Sequence, residues 1–117
     1  MISASNIYLV GPMGVGKTTV GKALAKSLGM DFIDSDQQIE DRTGVSIGTI
    51  FDIEGEEGFR KREAQMIFEL VQKKNIVLAT GGGAVTREDV RKVMRHNGVV
   101  IYLHATVDML VERTRSS

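Results

Sequence analysis

Eight consecutive residues, Gly11-Pro12-Met13-Gly14-Val15-Gly16-Lys17-Thr18, fit the pattern G-x-x-x-x-G-K-S/T at every fixed position. Glycines let a backbone curl until several N–H groups point at one anion. A helix opening near Lys17 would add its positive end to the same spot. Lys17 can then reach the β- and γ-phosphates of a nucleotide, and the Thr18 hydroxyl is a ligand for Mg²⁺. Gly14, Val15, Gly16, Lys17, Thr18 and Thr19 are the candidate nucleotide-binding residues, and ATP with Mg²⁺ is the implied cofactor set. The motif alone does not separate a kinase from an NTPase switch or a motor.

Asp34 and Asp36 form a second constellation. At a spacing of two, side chains on a strand share one face, and in open α/β sheets ligands bind beyond the C-terminal ends of strands. One carboxylate would hold the hydration shell of Mg²⁺ while the other orients an acceptor hydroxyl, which is most of what phosphoryl transfer asks of a protein. The plainer alternative is that Ser35 or Asp36 caps a following helix; the neighbouring phosphate loop favours the functional reading.

The elements that must position these groups follow from periodicity. Ile7–Val10 reads as a strand ending at Gly11, and Lys17–Leu28 as a helix with Gly29 as its cap. Phe32–Asp34 is a short strand, and a helix starts at Ser35 or Asp36 and ends near Gly44. Ser46–Ile53 predicts a short helical piece and Phe59–Lys73 a stronger helix, with Glu54–Glu63 mostly a charged helix face apart from Phe59 and Arg60. Ile76–Ala79 is a continuous apolar strand covered on both sides. Thr86 predicts a helix start, Asn97-Gly98 its end, Val99–Leu103 a fourth buried strand, and Thr106 a cap for a last helix holding Met109 and Leu110. Strands separated by helices imply parallel crossovers, and so an α/β sheet with helices on both faces.

Composition bounds the partners. The 117 residues suffice for one small domain, and 15 basic residues balance 15 acidic ones. A chain without a net positive field has little electrostatic drive toward nucleic acid. The chain has no cysteine, so disulfides and thiolate metal or redox sites are excluded. The apolar run Ile7–Val10 is far shorter than a signal or membrane segment. A cytoplasmic monomer acting on a small molecule, with neither nucleic acid nor membrane as partner, is the expectation. His96 and His104 have no partners at metal-ligand spacing.

Three further stretches carry a resemblance: Asp34-Ser35-Asp36, Phe51-Asp52-Ile53-Glu54-Gly55-Glu56-Glu57-Gly58-Phe59-Arg60, and Ala79-Thr80-Gly81-Gly82-Gly83. In order and spacing, with the phosphate loop, the chain resembles the shikimate kinase family from Ile7 to about Thr114. The resemblance implies a three-layer α/β/α P-loop kinase fold and a phosphotransferase moving the ATP γ-phosphoryl group to the 3-hydroxyl of shikimate, a step toward the aromatic amino acids. It makes Lys17 and Asp36 catalytic, with Asp36 the base that binds the shikimate hydroxyls, and gives Asp34 to Mg²⁺ through water. Arg60 would grip the shikimate carboxylate, Gly81, Gly82 and Gly83 would bring backbone close to it, and Phe51 and Phe59 would wall the pocket. Arg113 would stack on adenine.

Taken without the family, these residues say less. Glu56 and Glu63 can pair with Arg60 at helical spacing, which describes a solvated charged face, and the triple glycine is a flexible loop whose place beyond a strand end tilts it toward a ligand. By the resemblance, residues 1–117 form a single P-loop kinase core domain truncated before the last strand and helix and lacking the lid and C-terminal segment. Two other functions stand beside the first: a non-catalytic nucleotide-binding fragment, and a related P-loop kinase for another hydroxy acid such as gluconate.

Overall fold

The computed structural model describes residues 5–12 and 14–104. Four strands, β1 (Asn6–Val10), β2 (Asp31–Asp34), β3 (Ile76–Ala79) and β4 (Gly98–Tyr102), form one sheet in the order β2-β3-β1-β4. All its pairings are parallel: Ile7 lies opposite Val77 and Val99, and Ile33 lies opposite Leu78.

Strand side chains alternate between two apolar layers. Tyr8, Val10, Ile76 and Leu78 enter the larger one with Ile39, Phe59, Ile67, Val90 and Met94. Leu9 and Val77 enter the smaller one with Ala25, Phe32 and Ile101. Helix α1 (Lys17–Leu28) therefore covers one face, and α2 (Ser35–Thr43), α3 (Ile47–Leu70) and α4 (Glu88–Asn97) cover the other. The expected three-layer α/β/α arrangement is present.

Connection handedness explains this division. From β1 to β2 the chain moves two places in one direction across the sheet, whereas β2 to β3 and β3 to β4 both move back. Right-handed crossovers in opposite directions must place their helices on opposite faces. The loops after β1 and β3 consequently leave the neighbouring strands toward opposite sides, which opens a crevice at their C-terminal ends.

Several sequence expectations need correction. The two helical pieces expected before β3 are present within Ile47–Leu70, separated at Gly55 (φ 75°, ψ 177°), a backbone conformation essentially reserved for glycine, but the second begins before Phe59 and the helix ends at Leu70. Ser46 caps the first, its hydroxyl accepting from the Thr49 N–H at 3.1 Å. Thr86 does not start α4. It closes a short 3₁₀ turn, Ala84–Thr86, by donating to the Gly83 carbonyl at 2.7 Å, and α4 begins two residues later. The fourth strand is not buried on both sides: at the edge of the described sheet, Val99 and Tyr102 remain 53% and 50% exposed. The helix expected after Thr106 lies outside the described residues.

Candidate active site

The crevice holds a cleft of about 350 Å³ lined by Gly14, Gly16, Lys17 and Thr18 on one side and by Asp34, Asp36 and Ala79–Gly82 on the other. The phosphate loop and the acidic pair, separate in sequence, therefore face the same space.

Gly16 adopts a left-handed conformation (φ 91°) at the N-terminus of α1, and no side chain caps that end. Free backbone N–H groups and the helix dipole are what an anion needs there. The Lys17 ammonium donates to the carbonyls of Gly11 (2.5 Å) and Pro12 (3.0 Å). Partial burial pulls it below its ordinary pKa of 10.5, and the Asp36 and Asp34 carboxylates oppose that shift.

Asp34 ends β2 and caps α2, its Oδ1 accepting from the N–H groups of Asp36 (2.9 Å) and Gln37 (3.2 Å). The capping alternative thus applies to Asp34 rather than to Ser35 or Asp36. The shared strand face fails for the same reason: the chain turns into a helix between the two acids, and both reach the cleft because the turn lies at its rim. The other Asp34 oxygen accepts from the Thr18 hydroxyl at 3.4 Å. Thr18 and Asp34 offer hard oxygen donors side by side. Mg²⁺ keeps waters and phosphate oxygens and asks for only one or two protein ligands, so the pair fits it. Among the described residues no cluster of three or more His, Cys, Asp or Glu is placed to hold a metal.

Asp36 sits where burial raises its carboxyl above the ordinary 3.8; Asp34 and Glu40 push it the same way, while Lys17 and Arg60 hold it back. Its Oδ1 is buried without a hydrogen-bond partner among the described residues. Arg60 lies on α3, its guanidinium 2.9 Å from Glu63 Oε1, 3.8 Å from Glu56 and 5.3 Å over the Phe59 ring. Phe51 and Phe59 stack on each other with centroids 4.7 Å apart. Arg60, Gly83, Phe51, Phe59, Val15 and Thr19 do not line the cleft. Arg113 lies outside the described residues.

Two members of the lining, Ala79 and Thr80, belong to the stretch that carries the resemblance but not to the candidate site residues read from the sequence. Thr80 is buried and ties the end of β3 to β1, both its N–H and its hydroxyl donating to the Leu9 carbonyl at 3.1 Å. The larger omission is Glu63. It is no part of a solvated face, since only 2% of it is exposed. The signal was available: position 63 lies on the stripe Phe59, Met66, Ile67, Leu70, spaced four, seven, eight and eleven from its start.

A strand–loop–helix phosphate cradle facing acidic residues across a switch point defines a P-loop protein of the small-molecule kinase type. A sequence model of the family described as shikimate kinase matches residues 13–117. The shikimate kinase of Shewanella amazonensis is 55% identical over 115 residues, covering 98% of this chain and 67% of that protein. That of Chromobacterium violaceum is 62% identical over 112 residues, covering 96% and 61%. The solved structure of the Acinetobacter baumannii enzyme in complex with shikimate superposes with a TM-score of 0.91 at 52% identity, covering 96% and 63%. This chain belongs to the shikimate kinase family. It spans about two thirds of the length of these relatives. A gluconokinase from Sinorhizobium meliloti, at 20% identity and a TM-score of 0.59, shares the fold alone.

Proposed function

We propose that this chain carries the catalytic core of an ATP-dependent kinase that phosphorylates the 3-hydroxyl of shikimate. The observation that carries the reading is the single cleft lined by Lys17 and Thr18 on one side and by Asp34, Asp36 and Gly81 on the other, in a chain of this family.

In this reading the loop from Gly14 to Thr19 binds the nucleotide phosphates and Lys17 neutralises charge on the γ-phosphoryl group. Thr18, and Asp34 through water, would hold Mg²⁺, which would supply further neutralisation of the phosphates when bound. Asp36 orients the 3-hydroxyl and takes its proton as the hydroxyl oxygen bonds to the γ-phosphorus; the bond from that phosphorus to the β–γ bridging oxygen breaks and ADP leaves. Arg60 suits the substrate carboxylate because its planar fork can donate two parallel hydrogen bonds. Gly81–Gly83, with Phe51 and Phe59 behind Arg60, shape the acceptor side, and Arg113 is assigned to the adenine. Small molecules rather than nucleic acid or membrane are the proposed partners, and the cytoplasm the proposed place. The balanced charge supports this, and no described helix is long and apolar enough to cross a membrane.

The test is ADP release with a panel of acceptors. Shikimate should accelerate it and gluconate should not. Acceleration by gluconate alone rejects the reading. ATP should also raise thermal stability, by about 2.7 kcal/mol at 100 times its dissociation constant; that gain without phosphorylated product would leave a nucleotide-binding module.

A further inference from the structure

A second concavity lies at the opposite end of the sheet from the phosphate loop, where the strands begin. Its volume is about 470 Å³, larger than the active-site cleft at about 350 Å³ and in the range of small-molecule sites. Lys73 and Lys74 come to it from the turn after α3, and Arg95 and His96 from the last turn of α4. Gln72 adds a neutral amide, and no acidic residue is among the described lining.

Helix ends account for only part of this charge. Both α3 and α4 finish at this end of the sheet, and each carries roughly half a negative charge on its last carbonyls. Together they offset about one of the positive charges on Lys73, Lys74 and Arg95, which leaves an excess of about two. Neighbouring carboxylates do not remove it. Arg42, Arg60, Arg62 and Arg87 are each paired with one, whereas Lys73, Lys74 and Arg95 have no carboxylate partner among the described residues. Like charges gathered in a hollow focus their field on whatever enters it.

The donor set narrows the ligand. The planar fork of Arg95 can give two parallel N–H groups to a tetrahedral oxyanion, and the lysines serve such an anion as point charges. The His96 ring keeps at least one N–H donor in either protonation state. We propose that this hollow binds a small phosphate dianion, either inorganic phosphate or a phosphate monoester, at a site separate from the nucleotide cradle. Its two negative charges match the excess, and the volume leaves room for an organic group beyond the phosphate. The inference uses no residue of the phosphoryl-transfer site, so either reading can fail without the other.

Phosphate also suits the loop at residues 14–18, so the test is run on the chain saturated with ADP and Mg²⁺ and read residue by residue, by ¹⁵N NMR at constant ionic strength. Inorganic phosphate and glycerol phosphate are titrated separately. The backbone amides of Gln72, Lys73, Lys74, Asn97 and Gly98 should shift and saturate with both. Tighter binding of glycerol phosphate would assign the site to an organic phosphate, and equal binding to the phosphate group alone. Arg95→Gln should raise both dissociation constants by about 10-fold, as expected for loss of a charge-assisted hydrogen bond. Lys92→Gln removes the same charge from an exposed position on α4 that does not line the hollow, and should leave both unchanged. Equal losses in the two variants would mean unspecific attraction and overturn the site. So would shifts confined to residues 14–18, or a response still linear at about 10 mM, weaker than any useful affinity.

Discussion

Gly83 and Arg60 are in contact so close that a side chain on the first would displace the second: a Cβ at Gly83 would lie 2.3 Å from the Arg60 guanidinium carbon. The last glycine of the triplet thus serves the arginine as well as any ligand backbone contact. Gly83→Ala should drive Arg60 out of place, weakening shikimate binding by about 10- to 100-fold, the worth of one charge-assisted hydrogen bond. Nucleotide affinity should hold. Titration calorimetry with each ligand separately checks this, and equal losses for both would refute it.

Lys17→Ala should lower phosphoryl transfer by on the order of 100-fold or more, since it removes a fixed charge from the reacting phosphate. The fold should persist, because the bonds lost run to the carbonyls of a surface loop. ADP release and circular dichroism measured on the same sample decide the point.

Asp36→Asn should abolish most transfer with little loss of ATP binding; a large loss of ATP affinity would reassign Asp36 to the metal. The pH dependence has a definite sign. Transfer requires Asp36 ionised, and its folded value lies above 3.8, so the rate should rise with pH through that value. It should fall again in the alkaline range as Lys17, shifted below 10.5, loses its proton. A flat profile would argue against both roles.

Asn6 bridges three parts of the fold from a buried position. Its amide donates to the Tyr8 hydroxyl (3.0 Å) and the Lys73 carbonyl (2.7 Å), and its oxygen accepts from the Ile76 N–H (3.1 Å). Asn6→Leu would strand these groups, at a cost of about 2–4 kcal/mol. Urea unfolding should show a lower midpoint at unchanged slope.

Gly55→Ala isolates a backbone effect. A Cβ there would meet no atom within 4 Å, yet the residue's conformation (φ 75°, ψ 177°) resists any side chain. The expected loss is about 1–3 kcal/mol, or straightening of the α3 bend. Unchanged stability and an unchanged bend would contradict the strain assignment.

The parts legible in the sequence were those set by local chemistry. The phosphate loop declared itself through residue types that a curled backbone requires, and each strand through an apolar run near its true bounds. What escaped depended on neighbours distant in the chain. Glu63 reads as a surface charge in the sequence because the groups that bury it, Asp36 and Gly81 among them, are supplied by other elements. The Asp34–Asp36 spacing suggested a strand face, although the helix begins between them. Thr86 carried the chemistry of a cap, but an extra turn claimed its hydroxyl. The Val99–Leu103 run looked doubly covered because hydrophobicity alone does not say whether a strand is central or at an edge.

The alternation of strand residues between the two apolar layers also protects catalytic geometry. If β3 slid one residue along β1, Val77 and Leu78 would exchange layers, putting the wrong volumes into both. The same slip would carry Ala79–Gly82 about 3.3 Å away from the phosphate loop. Misalignment of the reacting groups by this route is therefore penalised twice by packing before any ligand arrives, so the tolerance of the chemistry is enforced by the interior of the sheet.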